Sequence, residues 1–143
     1  MSVYIPVVLK KEIRNFFADC CAYCRTAEAL TVTTFEFEHI IPLSAGGETV
    51  FENLCLACPS CNRYKAARQT AIDPNTQDEV KLFNPQQQLW ADHFAWNNDA
   101  TEIVGITSVG RSTIFALKMN RLQLIRVRKM WVKMGEHPPD ILP

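Results

Sequence analysis

Two pairs of cysteines have the spacing of metal ligands: Cys21 with Cys24, and Cys58 with Cys61. A Cys-x-x-Cys pair can chelate one ion from a tight turn, and four thiolates complete a closed tetrahedral zinc site. The 33 residues between the pairs, 25–57, exceed the roughly 15–20 of a simple zinc ribbon. The sequence therefore predicts a structural zinc ion that holds together the two ends of an inserted segment.

The remaining two cysteines leave the register of this site open. Cys20 could replace Cys21, and Cys55 stands at the same Cys-x-x-Cys spacing from Cys58. We favour the pair Cys58 and Cys61, because Cys55 lies in an apolar stretch where a buried thiol is common. In the alternative interpretation, all six cysteines are reduced core residues without metal.

Glu38 and His39 stand side by side in "FEFEHIIPLSAGG", where a strand meets a loop. They are either a hydrogen-bonded structural pair or a metal ligand beside a general base. Oxygens of Glu38 and Asn62 suit Mg²⁺ or Mn²⁺, and a neutral imidazole at His39 can accept the proton.

Neighbouring side chains on a strand point to opposite faces, so Glu38 and His39 can share one site only if the strand ends or bulges there. Pro42, three residues past His39, favours a strand that leaves regular pairing.

The hydrophobic pattern predicts an α+β fold. An amphipathic helix over 9–19, a strand over 31–38, a second strand over 51–58 and a helix starting near Pro59 make a ββα unit. Strands over 81–85 and 101–109 and helices over 112–120 and 121–134 follow. In the last helix we expect a core-facing stripe and, off that stripe, three exposed bases. The stripe contains Leu124, Val127, Trp131 and Met134, and the three bases are Arg121, Arg128 and Lys129.

Length and composition predict one domain over residues 1–143, with a ββα core over 20–68 and accessory strands and helices over 80–143. The N-terminus has neither a signal-peptide pattern nor a membrane span, so we expect a reducing, cytoplasmic setting without membrane contact. The net charge is zero, but residues 111–133 hold seven bases and no acid. Such a run is either a solvated helix surface or a face that attracts polyanions.

The array Cys-x-x-Cys, "EHIIPLSAGGE", "ENL" and "CPSCNRYK" resembles the HNH endonuclease motif in its zinc-stabilised form, over about residues 20–68. The segments after it resemble the block that follows the HNH unit in stand-alone bacterial proteins, notably cyanobacterial ones. The resemblance implies a ββα-metal core and a metal-dependent DNA endonuclease that leaves 5′-phosphate and 3′-hydroxyl ends.

The resemblance also implies roles for single residues. His39 matches the general base, and Glu38 matches the acidic metal ligand, which is usually Asp. Asn62 matches the last position of the metal site. Asn53 matches an amide that braces the loop. Phosphate contacts are expected from a set of bases on two helices. These bases are Arg63, Lys65, Arg68, Arg121, Arg128 and Lys129.

Alternatives stay open at this point. The chain could be a zinc-stabilised nucleic-acid-binding module without catalysis or a structural zinc domain that binds protein, and RNA could replace DNA as the ligand. The protein could also act as a homodimer or with a partner subunit. His93 lies among aromatic residues and is expected to be a packed structural residue. The alternative is that His93 lines the nuclease cleft. His137 is also expected to be structural.

Overall fold

The structure is a computed structural model that describes residues 3–141; the first two and last two positions of the predicted domain 1–143 lie outside them. Five α-helices and six short strands follow one another in the described residues. In chain order they are α1 Val7–Phe16, β1 Glu36–His39, β2 Leu54–Ala57, α2 Pro59–Lys65, β3 Thr70–Ile72, β4 Glu79–Lys81, α3 Trp90–His93, β5 Phe94–Trp96, β6 Ile103–Gly105, α4 Ser108–Leu117 and α5 Leu122–Lys133. None of the helices within 3–141 is long and apolar enough to cross a membrane.

The strands form three separate antiparallel pairs, β1 with β2, β3 with β4, and β5 with β6. Helix α2 follows β2 directly and packs against β1, which produces the predicted ββα unit. This mixture of helices and short antiparallel strands confirms the α+β class.

Several element boundaries differ from the predicted ones. The first strand begins at Glu36 rather than at residue 31, and the strand predicted over 81–85 ends at Lys81. The helix predicted over 112–120 begins at Ser108, because the Thr107 hydroxyl caps it by accepting a hydrogen bond from the Gly110 amide at 3.1 Å.

The first and second halves of the described chain share one apolar core. The Trp90 indole Nε1 donates a 2.8 Å hydrogen bond to the Tyr23 carbonyl, which joins α3 to the turn between Cys21 and Cys24. Phe83 and Phe94 pack edge to face behind it, with ring centroids 5.1 Å apart. The accessory elements therefore support the cysteine turns of the ββα unit.

In and beside helix α5, two side chains differ from the sequence-based prediction. Leu124 and Trp131 are buried as expected, but Met134 is 64% exposed and Arg128 is completely buried. Residues 124, 128 and 131 are spaced i, i+4 and i+7, so Arg128 lies on the buried face of the helix. The prediction that Arg128 contacts nucleic acid is wrong, because its side chain is not accessible to a phosphate.

Candidate functional site

The four predicted zinc ligands converge. The thiol sulfurs of Cys21, Cys24, Cys58 and Cys61 all lie within 4.8 Å of one another, and all four side chains are buried. Cys21 and Cys24 belong to the turn after α1, whereas Cys58 caps α2 and Cys61 lies in its first turn. Cys20 and Cys55 are buried outside the cluster, which confirms the favoured register.

The chemistry of this cluster fits a structural zinc ion. Burial raises the pKa of the Cys21 thiol well above its usual range, and hydrogen bonds from Cys21, Cys58 and Cys61 lower the pKa of the Cys24 thiol. Without a cation, four buried thiolates would repel one another, and with Zn²⁺ all four can ionise. The site is closed, since four sulfurs fill the tetrahedral shell and leave no position for a substrate.

Glu38 lies in a buried ion pair beneath the β1–β2 pair. Its Oε1 is 2.9 Å from the Lys65 ammonium and accepts a 3.0 Å hydrogen bond from the Tyr23 hydroxyl. The Lys65 ammonium also donates to the Ile40 carbonyl at 2.9 Å. Burial raises the pKa of Glu38, and the Lys65 charge acts in the opposite direction. The prediction that Lys65 contacts phosphate is wrong, because its side chain is only 2% exposed.

His39 lies on the opposite face of β1 from Glu38. The register pairs Glu38 with Cys55 and His39 with Leu54 without a bulge. The strand ends at His39, which is one of the two expected arrangements, and within it the Glu38 and His39 side chains alternate across β1.

The His39 ring is half-buried, and its Nε2 lies 2.9 Å from the Thr49 hydroxyl. Burial lowers the pKa of His39 below its ordinary value of 6.5, which favours the neutral ring. Thr49 was not predicted as a site residue. The only indication of it in the sequence is a hydroxyl residue at the end of the Gly-containing loop that follows His39.

Asn53 braces that loop, as the resemblance implies. Its Oδ1 accepts from the Ile41 amide at 2.8 Å, and its Nδ2 donates to the carbonyls of Ile41 and Glu48 at 3.0 and 2.9 Å. Gly47 completes the brace, because a Cβ there would lie 1.8 Å from the Ile41 carbonyl oxygen. The loop therefore closes tightly just beyond His39.

Asn62 lies in the first turn of α2, half-exposed, and its Nδ2 donates a 2.6 Å hydrogen bond to Oε1 of Glu36. Glu36 was not predicted as a site residue. It shares a face of β1 with Glu38, two residues further along, since side chains alternate along a strand. Two carboxylates and one amide therefore border the face of β1 that packs on α2.

The donor atoms on this face suit a hard divalent cation. Among the described residues, Oε2 of Glu38 is buried without a hydrogen-bond partner, and the amide of Asn62 engages Glu36 through nitrogen, not oxygen. A carboxylate oxygen and an amide oxygen are the ligand types that Mg²⁺ and Mn²⁺ prefer. Because Oε2 of Glu38 is shielded from solvent, a cation would reach it only after Glu38 shifts relative to Lys65.

The remaining predicted bases have different environments. Arg63, Arg68 and Lys129 are exposed, while Arg121 is half-buried and donates to the Lys118 carbonyl at 3.1 Å. A shallow surface groove of about 510 Å³ opens between Arg68, in the segment after α2, and the end of α4. Its lining consists of Arg68, Ile114, Phe115, Ala116, Lys118, Asn120 and Arg121. Three of these residues are bases and none is an acid.

The two other histidines are packed side chains. His93 Nδ1 lies 2.7 Å from the Thr107 hydroxyl and its ring packs on Phe83. His137 is buried, and its Nε2 lies 3.0 Å from the Ala100 carbonyl oxygen. These contacts agree with the expectation that His93 and His137 are structural.

The four-cysteine cluster and the ββα unit together define a ββα domain with a candidate structural zinc site. The model of the HNH endonuclease family matches residues 21–68, which are 48 of the 143 residues. That segment contains the four clustered cysteines together with Glu38, His39, Asn53 and Asn62. The resemblance seen in the motif is therefore confirmed for residues 21–68. Comparisons with curated proteins and with solved structures give no significant match.

Proposed function

We propose that the protein is a metal-dependent HNH endonuclease that hydrolyses phosphodiester bonds of DNA, with His39 as the general base. The observation that carries the proposal is the position of His39 within the matched segment. The ring stands at the end of β1, half-exposed, and its lowered pKa keeps it neutral near pH 7. A neutral ring with its proton on Nε2 donates to Thr49 and offers the Nδ1 lone pair to a water molecule.

Glu38 and Asn62 are the proposed ligands of the catalytic cation, and Glu38 has to shift from its ion pair with Lys65 for this cation and His39 to act on one phosphate. A bound Mg²⁺ or Mn²⁺ would neutralise charge on the phosphate and assist the leaving alkoxide. The donor types support this assignment, and Oε2 of Glu38, which is buried without a hydrogen-bond partner, is the oxygen that such a shift would expose to the cation. Asn53 keeps the loop after His39 closed and so holds the imidazole in place.

Bases on α2 and α5 and in the segments beside α2, α4 and α5 supply the proposed contacts to the DNA backbone. Arg63, Arg68 and Lys129 remain from the predicted set, and Lys118 and Arg121 add charge along the groove beside Phe115. Contacts from lysine and arginine to phosphates do not depend on base sequence and weaken steeply with salt. We therefore expect binding that falls as the salt concentration rises.

The test is to incubate supercoiled plasmid with zinc-loaded protein in the presence or absence of Mg²⁺ or Mn²⁺. Omitting the divalent cation is a cleaner control than EDTA, because EDTA also removes structural zinc. His39→Ala is compared with His93→Ala, a histidine substitution outside the matched segment, after both are shown to hold zinc. Cleavage that requires Mg²⁺ or Mn²⁺ and is lost only in His39→Ala supports the proposal.

A second candidate function is a zinc-stabilised nucleic-acid-binding module without catalysis. The observation that favours it is the buried pair of Glu38 and Lys65, which engages the carboxylate that a catalytic cation would need. Salt-sensitive retardation of duplex DNA or RNA in a gel, without strand cleavage under any divalent cation, would identify this function instead.

A further inference from the structure

Phe115 is an exposed aromatic ring in a basic groove, called here the Phe115 groove. It lies near the end of α4 and is 63% exposed. The groove of about 510 Å³ that it lines also contains Arg68, Lys118 and Arg121, and no acid contributes to the lining. Among residues 3–141, none of these three side chains forms an ion pair. The groove therefore presents an aromatic face surrounded by uncompensated positive charge.

The matched segment and the accessory part build this groove together. Arg68 is the last residue of the segment that the HNH model matches, whereas Phe115 and Lys118 lie at the end of α4. Helix α4 packs on α2, and the Lys118 ammonium lies 5.1 Å from the centre of the Tyr64 ring. Asn62 and Arg68 are six residues apart, which limits the distance between their Cα atoms to about 20 Å. The groove therefore lies close to the candidate site.

The apolar part of the groove is little more than one ring. Besides Phe115, its apolar members are Ile114, which is half-buried, and Ala116, which is only 6% exposed. A specific protein interface buries about 800 Å² per partner and has few charges at its centre, and neither feature is present here. A nucleotide matches the groove better. Its nucleobase can cover one aromatic ring, and its phosphates carry the charge that lysine and arginine attract.

We propose that the Phe115 groove binds an unpaired nucleotide of DNA. The nucleobase stacks on the Phe115 ring, and Arg68, Lys118 and Arg121 contact the adjoining phosphates. A nucleobase inside a duplex is covered on both faces by its neighbours, so only an unstacked one can cover the ring.

The choice of DNA as the ligand rests on the proposed nuclease function, and the groove adds the class of substrate. With a rise of 3.4 Å per nucleotide along a B-form strand, about 20 Å corresponds to about six nucleotides. The stacked nucleotide then lies within a few nucleotides of the phosphate at the candidate site. The substrate class is therefore DNA with a single-stranded segment beside the position of cleavage.

Binding of short strands tests the proposal without any cleavage. Fluorescence anisotropy compares a labelled oligo-dT strand with a duplex of equal length, using zinc-loaded protein in buffer without Mg²⁺ or Mn²⁺. Phe115→Ala should bind the strand about 5–100-fold more weakly than wild type and change the affinity for the duplex much less. Phe16→Ala is the matched control, since Phe16 is a 55% exposed phenylalanine of α1 outside the groove, and it should bind the strand as wild type does. Equal strand affinity of wild type and Phe115→Ala, or an equal loss for strand and duplex, would overturn the proposal.

Two further substitutions separate stacking from apolar contact. Phe115→Trp keeps an aromatic face and should bind the strand at least as tightly as wild type, whereas Phe115→Leu is apolar without such a face and should bind nearly as weakly as Phe115→Ala. The strand should also quench the fluorescence of Phe115→Trp more than that of wild type, in which Trp90 and Trp131 are buried. Equal strand affinity of Phe115→Leu and Phe115→Trp would overturn the proposal. So would a dimer, seen by light scattering, that Phe115→Ala dissociates while its strand affinity stays at the wild-type value.

Failure of the proposed nuclease function has a different signature. If wild type binds the strand through Phe115 but cleaves no DNA with Mg²⁺ or Mn²⁺, the nuclease function fails and the groove assignment stands. If wild type cleaves DNA, Phe115→Ala should raise KM for a substrate with a single-stranded segment and leave kcat unchanged. Cleavage by wild type together with an unchanged KM and unchanged strand affinity in Phe115→Ala would overturn the groove assignment alone.

Discussion

The Lys65 ammonium lies 2.9 Å from Oε1 of Glu38, with the two side chains only 2% and 4% exposed. This pair joins the end of α2 to the middle of β1, and the Tyr23 hydroxyl connects it to the turn between Cys21 and Cys24. A lysine expected to contact phosphate and an acid expected to bind a cation therefore form an internal link of the ββα unit. The link has a measurable consequence for stability.

Removing one member of this pair leaves the other as an uncompensated buried charge. We expect Lys65→Met to lower the free energy of unfolding by about 3–5 kcal/mol. Urea unfolding of the zinc-loaded protein measures this change, with the exposed Arg63→Met on the same helix as the matched control. The double variant Glu38→Leu/Lys65→Met should recover most of the loss, because neither charge then remains buried. A Lys65→Met variant as stable as Arg63→Met would contradict the assignment.

The register of the zinc site predicts opposite outcomes for two neighbouring cysteines. Cys58→Ser removes one thiolate of the cluster, so purified protein should hold far less than one zinc per chain. Apparent binding free energies of structural zinc are about 10–16 kcal/mol in small domains, so we also expect loss of cooperative unfolding. Cys55→Ala leaves all four ligands and should retain one zinc per chain. Metal analysis by mass spectrometry decides, and zinc retention by Cys58→Ser would point to another register.

The environment of His39 predicts the pH dependence of cleavage. A general base works only when unprotonated, and burial disfavours the imidazolium form, so the pKa of His39 lies below 6.5. As the pH falls from 8, the cleavage rate should decline with a midpoint below pH 6.5. Thr49→Val removes the hydroxyl at Nε2 and should reduce the rate less than His39→Ala does. Initial rates across this pH range measure both effects, and a decline centred above 6.5 would speak against His39 as the base.

The hydrogen bonds of Asn53 predict an effect on the stability of the loop after His39. Its amide makes three hydrogen bonds to backbone groups of Ile41 and Glu48, each worth about 1 kcal/mol net. Asn53→Ala should therefore destabilise the protein by about 3 kcal/mol and increase amide hydrogen exchange at Ile41. Unchanged exchange at Ile41 would show that the loop holds itself closed without Asn53.

Local spacing made the zinc ligands and the ββα unit predictable. A Cys-x-x-Cys pair is a property of four consecutive residues, and Pro59 marks the start of α2 through its own fixed backbone geometry. The closure of the loop by Asn53 followed from the family motif. These features need little information about distant parts of the chain.

The buried charges were not predictable in the same way. Lys65 meets Glu38 across 26 intervening residues, and Arg128 meets acceptors at Thr101 and Met119, so their burial depends on tertiary packing. An interpretation that assigns every lysine and arginine to the protein surface misplaces both Lys65 and Arg128. For Arg128, the spacing to Leu124 and Trp131 contained the correct signal, but the charge of the side chain outweighed it.

We propose that His39 activates water in the ββα unit that matches the HNH model, and single-turnover cleavage of a labelled DNA duplex with Mg²⁺ or Mn²⁺ tests this role most directly. Wild-type protein and His93→Ala should cleave at similar rates, and His39→Ala should be at least about 100-fold slower while holding one zinc per chain. Equal rates for wild type and His39→Ala, or no cleavage by zinc-loaded wild type with either cation, would contradict the claim.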